Sequence, residues 1–308
     1  MSSIKQNTLI TIVGPTAIGK TALSIKLANH FNTDILSCDS RQFYKEMSIG
    51  TAVPDKNELA AAQHHFIQNR SIIESYNVGS FEKNSLSKLE ELFTKNPIQI
   101  MVGGSGLYVD AVLKGLDYFP EVNPSIREEL NNQLKIEGGL ESLQKRLKIL
   151  DIETYNTIKI DNPQRVIRAL EICIGTGTPY STFKNKPKTP RKFNSILIGL
   201  NAEREVIYNR INKRVDIMIE NGLIEEAKKL YAYRNLNALQ TVGYRELFSF
   251  FDGDISQEFA ISEIKKNTRR FAKRQLTWFK KNKSTLWFDY RTDIDIIINK
   301  ISDKINLI

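Results

Sequence analysis

Residues 8–23, TLITIVGPTAIGKTAL, constrain this chain more than any other stretch. The apolar run Leu9 to Val13 leads straight into Gly14, Pro15, Thr16, Ala17, Ile18, Gly19, Lys20 and Thr21. That order and spacing, GxxxxGK[ST] between a buried strand and a helix start, is the pattern of a phosphate-binding loop. Such a loop works through its backbone, because successive N–H groups must wrap closely around an oligophosphate and side chains would obstruct them. The positive end of the following helix adds charge, Lys20 adds a mobile cation, and Thr21 offers a hydroxyl able to hold Mg²⁺. Gly14 to Thr21 are therefore the expected diphosphate-binding residues. The loop predicts a bound diphosphate or triphosphate and leaves the reaction open.

The segments that follow place chemistry beside this loop. Leu23, Ile25, Leu27, Ala28 and Phe31 give Thr21–Phe31 one apolar helical side. Asp34 to Cys38 is then a short apolar strand that delivers Asp39 and Ser40 at its end. Residues at the carboxyl ends of strands in an open α/β sheet face the ligand crevice, so Asp39 is a candidate for chemistry, with a turn cap as the alternative for an Asp-Ser pair. Residues 47–54 form a loop, and 55–62 a short helix capped by Asp55. His64 and His65 lack metal-ligand spacing to His30, the one other histidine, and are expected to pack at a strand. An amphipathic helix over 81–95 precedes a buried strand, 97–102, which ends in Gly103-Gly104-Ser105-Gly106. A phosphate-loop ATPase usually carries an acid at such a strand end, to hold Mg²⁺ and order water. Glycines there disfavour ATP hydrolysis and suggest that the bound phosphate departs as a leaving group.

From Phe119 the pattern turns to helices with no strands between them, at 124–136, 140–150 and 163–174, with Asn162 capping and Pro163 at the first helical position. The Pro/Lys-rich run KNKPKTPRK, 184–192, closes this stretch, and 195–200 is again a buried strand. The expected fold is α/β: a phosphate-loop-type parallel sheet flanked by helices (1–119 and 191–308), interrupted by an all-helical insertion (120–190). Beyond it, a helix over 204–221 carries Arg210 and Arg214 four apart, able to reach a phosphate or to form a solvated basic face. The run LQTVGYREL, 239–247, reads as a contact loop and helix start. The helix 256–283 bears nine Lys and Arg against Glu258 and Glu263, with Ile264, Phe271, Gln275 and Trp278 on the side expected to pack on the core. A last strand at 285–288 and a helix at 294–305 follow.

The net charge is +9, from 44 Lys and Arg against 35 Asp and Glu. Its clustering on one helix is the electrostatic footprint of a polyanionic partner. No apolar run approaches the length of a membrane span, the first residues MSSIKQNT show no secretory pattern, and the two cysteines, Cys38 and Cys173, read as reduced core thiols. A cytoplasmic protein with no membrane partner, and a monomer, is expected.

Eight segments in order, GPTAIGKT (14–21), SCDSRQFYKEMSIGTAVP (37–54), HHF (64–66), VGGSGLYVDAV (102–112), NPQRVIRALEI (162–172), ENGLIEEA (220–227), QTVGYREL (240–247) and TRRFAKRQLTWF (268–279), resemble the tRNA dimethylallyltransferase family, also called tRNA isopentenyltransferase. The chain departs from the family's usual small polar residue at Ile18, whose backbone N–H can still serve a phosphate. The resemblance implies transfer of a dimethylallyl group from dimethylallyl diphosphate to the exocyclic amine of the adenosine just 3′ of the anticodon, in tRNAs that read codons starting with U, with release of diphosphate. It implies Mg²⁺ at Thr21, Arg214 as a further diphosphate cation, and Asp39 as the base, with Lys20 and Thr21 also in the catalytic set. The implied tRNA contacts are Asp39, Ser40, Arg41, Gln42, Ser105, Arg127, Gln164, Arg165, Val166, Ile167, Arg168, Gln240, Thr241, Val242, Gly243, Tyr244 and Arg245, with the helical insertion on the anticodon stem-loop. The alternatives are a prenyltransferase acting on free adenine nucleotides, a phosphate-loop small-molecule kinase, and a non-catalytic RNA-binding protein.

Overall fold

The computed structural model describes residues 6–307. The sequence expectation about the first residues therefore lies largely outside the described part. Six strands form one parallel sheet: β1 (Thr8–Val13), β2 (Ile35–Ser37), β3 (His64–His65), β4 (Ile98–Val102), β5 (Asn194–Asn201) and β6 (Leu286–Asp289), in the order β3-β2-β4-β1-β5-β6. The phosphate-loop strand is thus central, with Ile10 in register with Ile100 on one side and Ile196 on the other.

Alternation along β1 feeds two cores, as a parallel sheet covered on both faces requires. Ile10 and Ile12 pack with Leu23 and Leu27 of α1 (Lys20–Phe31). Leu9 and Val13 face the other way, towards Phe81, Leu89 and Leu92 of α3 (Val78–Phe93) and Val109 and Val112 of α4 (Gly106–Lys114). Between them in sequence, the short α2 (Lys56–Ala61) starts from a capping box in which Asp55 and Glu58 satisfy each other's backbone N–H.

A separate compact unit, Gly115–Pro190, contains α5 (Pro124–Leu134), α6 (Gly139–Leu150), α7 (Ile152–Thr157) and α8 (Pro163–Thr176) around Leu130, Leu143, Leu147, Val166, Ile167 and Leu170. The one-and-a-half-turn α7 escapes a periodicity reading because six residues are too few to show one. Its anchor is polar: Asp151 caps it through Thr154 and also accepts from Ser181 N–H at 2.7 Å.

The remaining helices return to the sheet unit: α9 (Arg204–Glu220), α10 (Leu223–Leu230), α11 (Tyr244–Phe251), α12 (Gln257–Phe279) and α13 (Ile294–Asn306). On α12 the sequence expectation needs correction. Ile264 and Gln275 are buried, but Phe271 and Trp278 are each 38% exposed. Ala260, Ala272 and Phe279 fill the core face instead, and the two large rings sit one position round the helix, on the wall of a cavity. Helical spacing alone cannot separate a core stripe from a pocket stripe.

Candidate active site

The carboxyl edge of the sheet brings together the ends of β1, β2 and β4, where ligands bind in open α/β sheets. After β1, three cations gather on the loop, Lys20 from the loop itself and Arg210 and Arg214 from α9. Lys20 Nζ donates to Pro15 O at 2.8 Å, Arg210 Nε to Ala17 O at 2.7 Å, and Arg214 to the Thr16 hydroxyl at 3.4 Å. Gly19 opens α1 with no side-chain cap, which leaves the first-turn N–H groups turned towards any bound anion. Burial and the neighbouring Arg214 pull the Lys20 ammonium down to about 8, against the opposing pull of Asp39. Arg214 is lowered too, by burial and by Arg210. Mutually repelling cations in a half-buried cradle create an electrostatic demand for an anion there.

After β2 comes Asp39. One carboxylate oxygen accepts from Arg41 N–H at 3.0 Å, so the turn-cap reading describes half of this side chain. The other oxygen takes no hydrogen bond among the described residues, and Asp39 lines the cavity. After β4 the glycine turn lies against this strand end. A Cβ on Gly103 would stand 2.0 Å from Cys38 O, so only glycine permits the approach. The hydroxyl of Ser105 accepts from Ser40 N–H at 3.0 Å and bonds to the Ser40 hydroxyl at 3.1 Å, pinning the residue after Asp39.

A third wall comes from parts of the chain far apart in sequence. The Glu226 carboxylate collects the N–H groups of Ser48, Ile49 and Gly50 at 2.8–2.9 Å and the Tyr244 hydroxyl at 2.7 Å. Tyr244 is wholly buried, and burial beside that carboxylate drives its phenol far above its ordinary range. Together these groups freeze the loop 47–53 beside Thr241, Val242 and Gly243. The resulting cavity, about 400 Å³, is polar where Thr16, Asp39, Ser105 and Arg214 reach it and apolar where Met218, Leu223, Phe271 and Trp278 do.

The structure sorts the implied contact residues. Asp39, Ser40, Arg41, Ser105, Thr241, Val242 and Gly243 line the cavity. Arg41 also donates to Asn237 O and Ala238 O, Gln42 to Thr51 O and Ala52 O, and Gln240 to Arg234 O. Arg245 is exposed. Val166, Ile167 and Tyr244 are fully buried, so their side chains are core and cannot touch a partner at the surface. In the helical unit Gln164 and Arg165 are exposed, while Arg127 and Arg168 both hold the buried Glu171 carboxylate, at 3.3 and 3.0 Å.

Arg210, Glu226 and Gln275 were not among the expected site residues. Arg210 carried a signal, its four-residue spacing from Arg214. Nothing local in the sequence marks Glu226 or Gln275: the backbone groups they hold lie more than 170 residues away in the chain. His65, in contrast, pairs with Asp34 at 2.8 Å at the sheet edge, and no cluster of three His, Cys, Asp or Glu suited to a metal exists among the described residues.

The family model for IPP transferase matches residues 42–282. The chain is 62% identical over 304 residues to the tRNA dimethylallyltransferase of Flavobacterium psychrophilum, covering 97% of this chain and 99% of that one. It is similar to the crystal structure of the full-length tRNA isopentenylpyrophosphate transferase of Bacillus halodurans (TM-score 0.73, 38% identity, 97% of each chain). It is similar also to a eukaryotic dimethylallyltransferase captured acting on tRNA (TM-score 0.77, 26% identity, 94% of this chain and 75% of that one).

Proposed function

The chain belongs to the IPP transferase family, and from that premise we propose that it moves a dimethylallyl group from dimethylallyl diphosphate to the exocyclic amine of the adenosine 3′ to a tRNA anticodon, in tRNAs reading codons that start with U. The observation that carries this reading is the cavity itself, cationic at the phosphate loop, acidic at Asp39 and apolar between. That polarity suits an allylic diphosphate whose tail lies along Met218, Phe271 and Trp278.

In the reaction the carbon–oxygen bond to the diphosphate breaks and a carbon–nitrogen bond to the adenine forms. Lys20 and Arg214 offset the charge that builds on the leaving diphosphate, and the N–H groups of residues 17–21 cradle it. An adenine amine is a weak nucleophile because its lone pair is delocalised into the ring. The free oxygen of Asp39 takes the amine proton as the bond forms, and its negative charge favours the cationic character of the allylic carbon. The base must leave its stack to reach this pocket. The donor set fits Mg²⁺: the Thr21 hydroxyl makes no hydrogen bond among the described residues, and with so few protein ligands the ion would share diphosphate and water oxygens. When bound, that ion would add positive charge at the leaving group.

The Gly115–Pro190 unit would engage the anticodon stem-loop through Arg127, Gln164, Arg165 and Arg168, and α12 the backbone through Lys273 and Arg274. A single chain supplies every group invoked in the cavity. Both cysteines are free, and no helix among the described residues is long and apolar enough to cross a membrane; the proposed site of action is the cytoplasm. Incubation with dimethylallyl diphosphate, Mg²⁺ and tRNA, followed by mass analysis of the nucleosides, should show one added dimethylallyl group on adenosine. Modification of AMP alone, or phosphate transfer from ATP, would overturn the reading.

A further inference from the structure

Gln275 lies on α12 in a buried setting, 6% exposed, where its amide needs partners for both ends. It finds them on two separate loops. Its Oε1 accepts the Thr16 N–H at 2.9 Å, and its Nε2 donates to Gly104 O at 3.0 Å. Thr16 belongs to the phosphate loop and Gly104 to the turn after β4, whose next residue, Ser105, holds Ser40 beside Asp39. One side chain therefore ties the leaving-group wall of the cavity to the wall that carries the base. The fit is close, since a Cβ on Gly104 would stand 2.1 Å from Gln275 Nε2, so the glycine is what admits the amide. The bridge also engages the Thr16 N–H within the protein, which leaves the phosphate to the N–H groups further along the loop.

We infer that Gln275 is a positioning residue: it fixes the spacing between the phosphate loop and the Gly104–Ser105 turn, and so between the departing diphosphate and the attacking amine. This rests on the prenyl-transfer reading. Only a side chain with an acceptor and a donor can hold both loops. Glutamate keeps the first bond but sets a second oxygen against Gly104 O. Leucine keeps the volume and loses both.

Two variants, Gln275→Leu and Gln275→Glu, test the bridge. Gln275→Leu should lower kcat by about ten- to thirtyfold, the worth of two ordinary hydrogen bonds, and Gln275→Glu, which keeps one, by about three- to tenfold, each with affinity for inorganic pyrophosphate and for tRNA changed less than about threefold. Amide exchange at Thr16, followed without substrate, should quicken by a similar factor in Gln275→Leu. Wild-type kcat in both variants, or unaltered Thr16 exchange, would overturn the inference. A fall in pyrophosphate affinity with kcat unchanged would do so as well, since Gln275 would then belong to the binding cradle. Exchange at Thr16 needs no reaction, so it reports on the bridge even if the wild-type chain fails to prenylate, an outcome that would overturn the proposed function instead.

Discussion

The two sides of the cavity are built in opposite ways. On the proposed reading the diphosphate side is one continuous stretch, Gly14 to Thr21, in which backbone direction, helix start and lysine come from eight neighbouring residues, and Arg210, Arg214 and the Gln275 amide are brought to it from elsewhere. The acceptor side is assembled from Asp39, the Gly103–Ser105 turn, the loop 47–53, Thr241–Gly243 and α12, held by Glu226 and Tyr244. Binding an oligophosphate demands little more than N–H groups and charge, which local sequence supplies. Holding a base edge-on to an allylic carbon demands fixed distances between distant loops, which only tertiary packing supplies. The cradle should therefore lose function when its charge is removed, and the acceptor wall when its geometry or its one base is removed.

The sharpest way to break that contrast is Asp39→Ala. On the proposed mechanism it removes the base while leaving the cradle intact, so the single-turnover rate should fall by about 10²- to 10⁴-fold, the usual range for general acid–base catalysis. Dimethylallyl diphosphate binding, read by calorimetry, should persist. An unchanged rate would reduce Asp39 to the turn cap that its bond to Arg41 N–H already describes.

Next in size is the cradle's own charge. Lys20→Ala should cost roughly 10²- to 10³-fold in kcat/KM, as the loss of a single preorganised electrostatic contact does. Unlike Asp39→Ala, it should weaken diphosphate binding too. The Lys20 amine also titrates near working pH, since its value is pulled down to about 8. Below that pH the free protein presents an ammonium, and above it a neutral amine. Diphosphate affinity should therefore decline as pH rises through about 8, and Lys20→Arg, whose guanidinium stays charged, should flatten the decline. A wild-type affinity independent of pH between 7 and 9 would show that the ammonium contributes nothing to capture.

The same contrast explains what was legible in the sequence. The loop at 14–21, the buried strands and the helical run after Phe119 all follow from local periodicity and punctuation, and their bounds move by only a few residues in the structure. The position of Asp39 at the cavity was legible because strand ends have a fixed meaning in a parallel sheet. Phe271 and Trp278 were misread because a pocket wall and a core face share the 3.6-residue period. Glu226 and Gln275 were invisible, since a carboxylate or an amide declares its role only when the backbone groups it holds, 171 to 259 residues away, are in place. Val166 and Ile167 show the converse. A motif names a run of residues, but helix geometry decides which of them face outward, and these two face the core.

The smallest expected effect lies outside both walls. Along α12 the residues Ile264, Thr268, Phe271, Gln275 and Trp278 face the cavity, while Lys266, Arg269, Arg270 and Lys273 form a second stripe that lines a groove against Arg204, Tyr208 and Asn212 of α9. Some of these cations already have partners: Lys266 pairs with Glu263 at 2.7 Å, and Arg269 donates to the neutral Asn212 amide oxygen at 2.7 Å. Lys273 has no carboxylate partner among the described residues, and Arg274 at the cavity rim packs over the Phe271 ring at 5.7 Å. If both reach RNA phosphates, neutralising them should reduce the slope of log K against log salt by about one for each cation, with kcat on saturating tRNA altered severalfold at most. The double variant Lys273→Ala with Arg274→Ala, measured by filter binding across a salt series, separates the possibilities. A shallower slope with kcat retained assigns the pair to backbone grip, and an unchanged slope leaves the stripe a solvated face, so that tRNA affinity would have to come from the arginines of the helical unit.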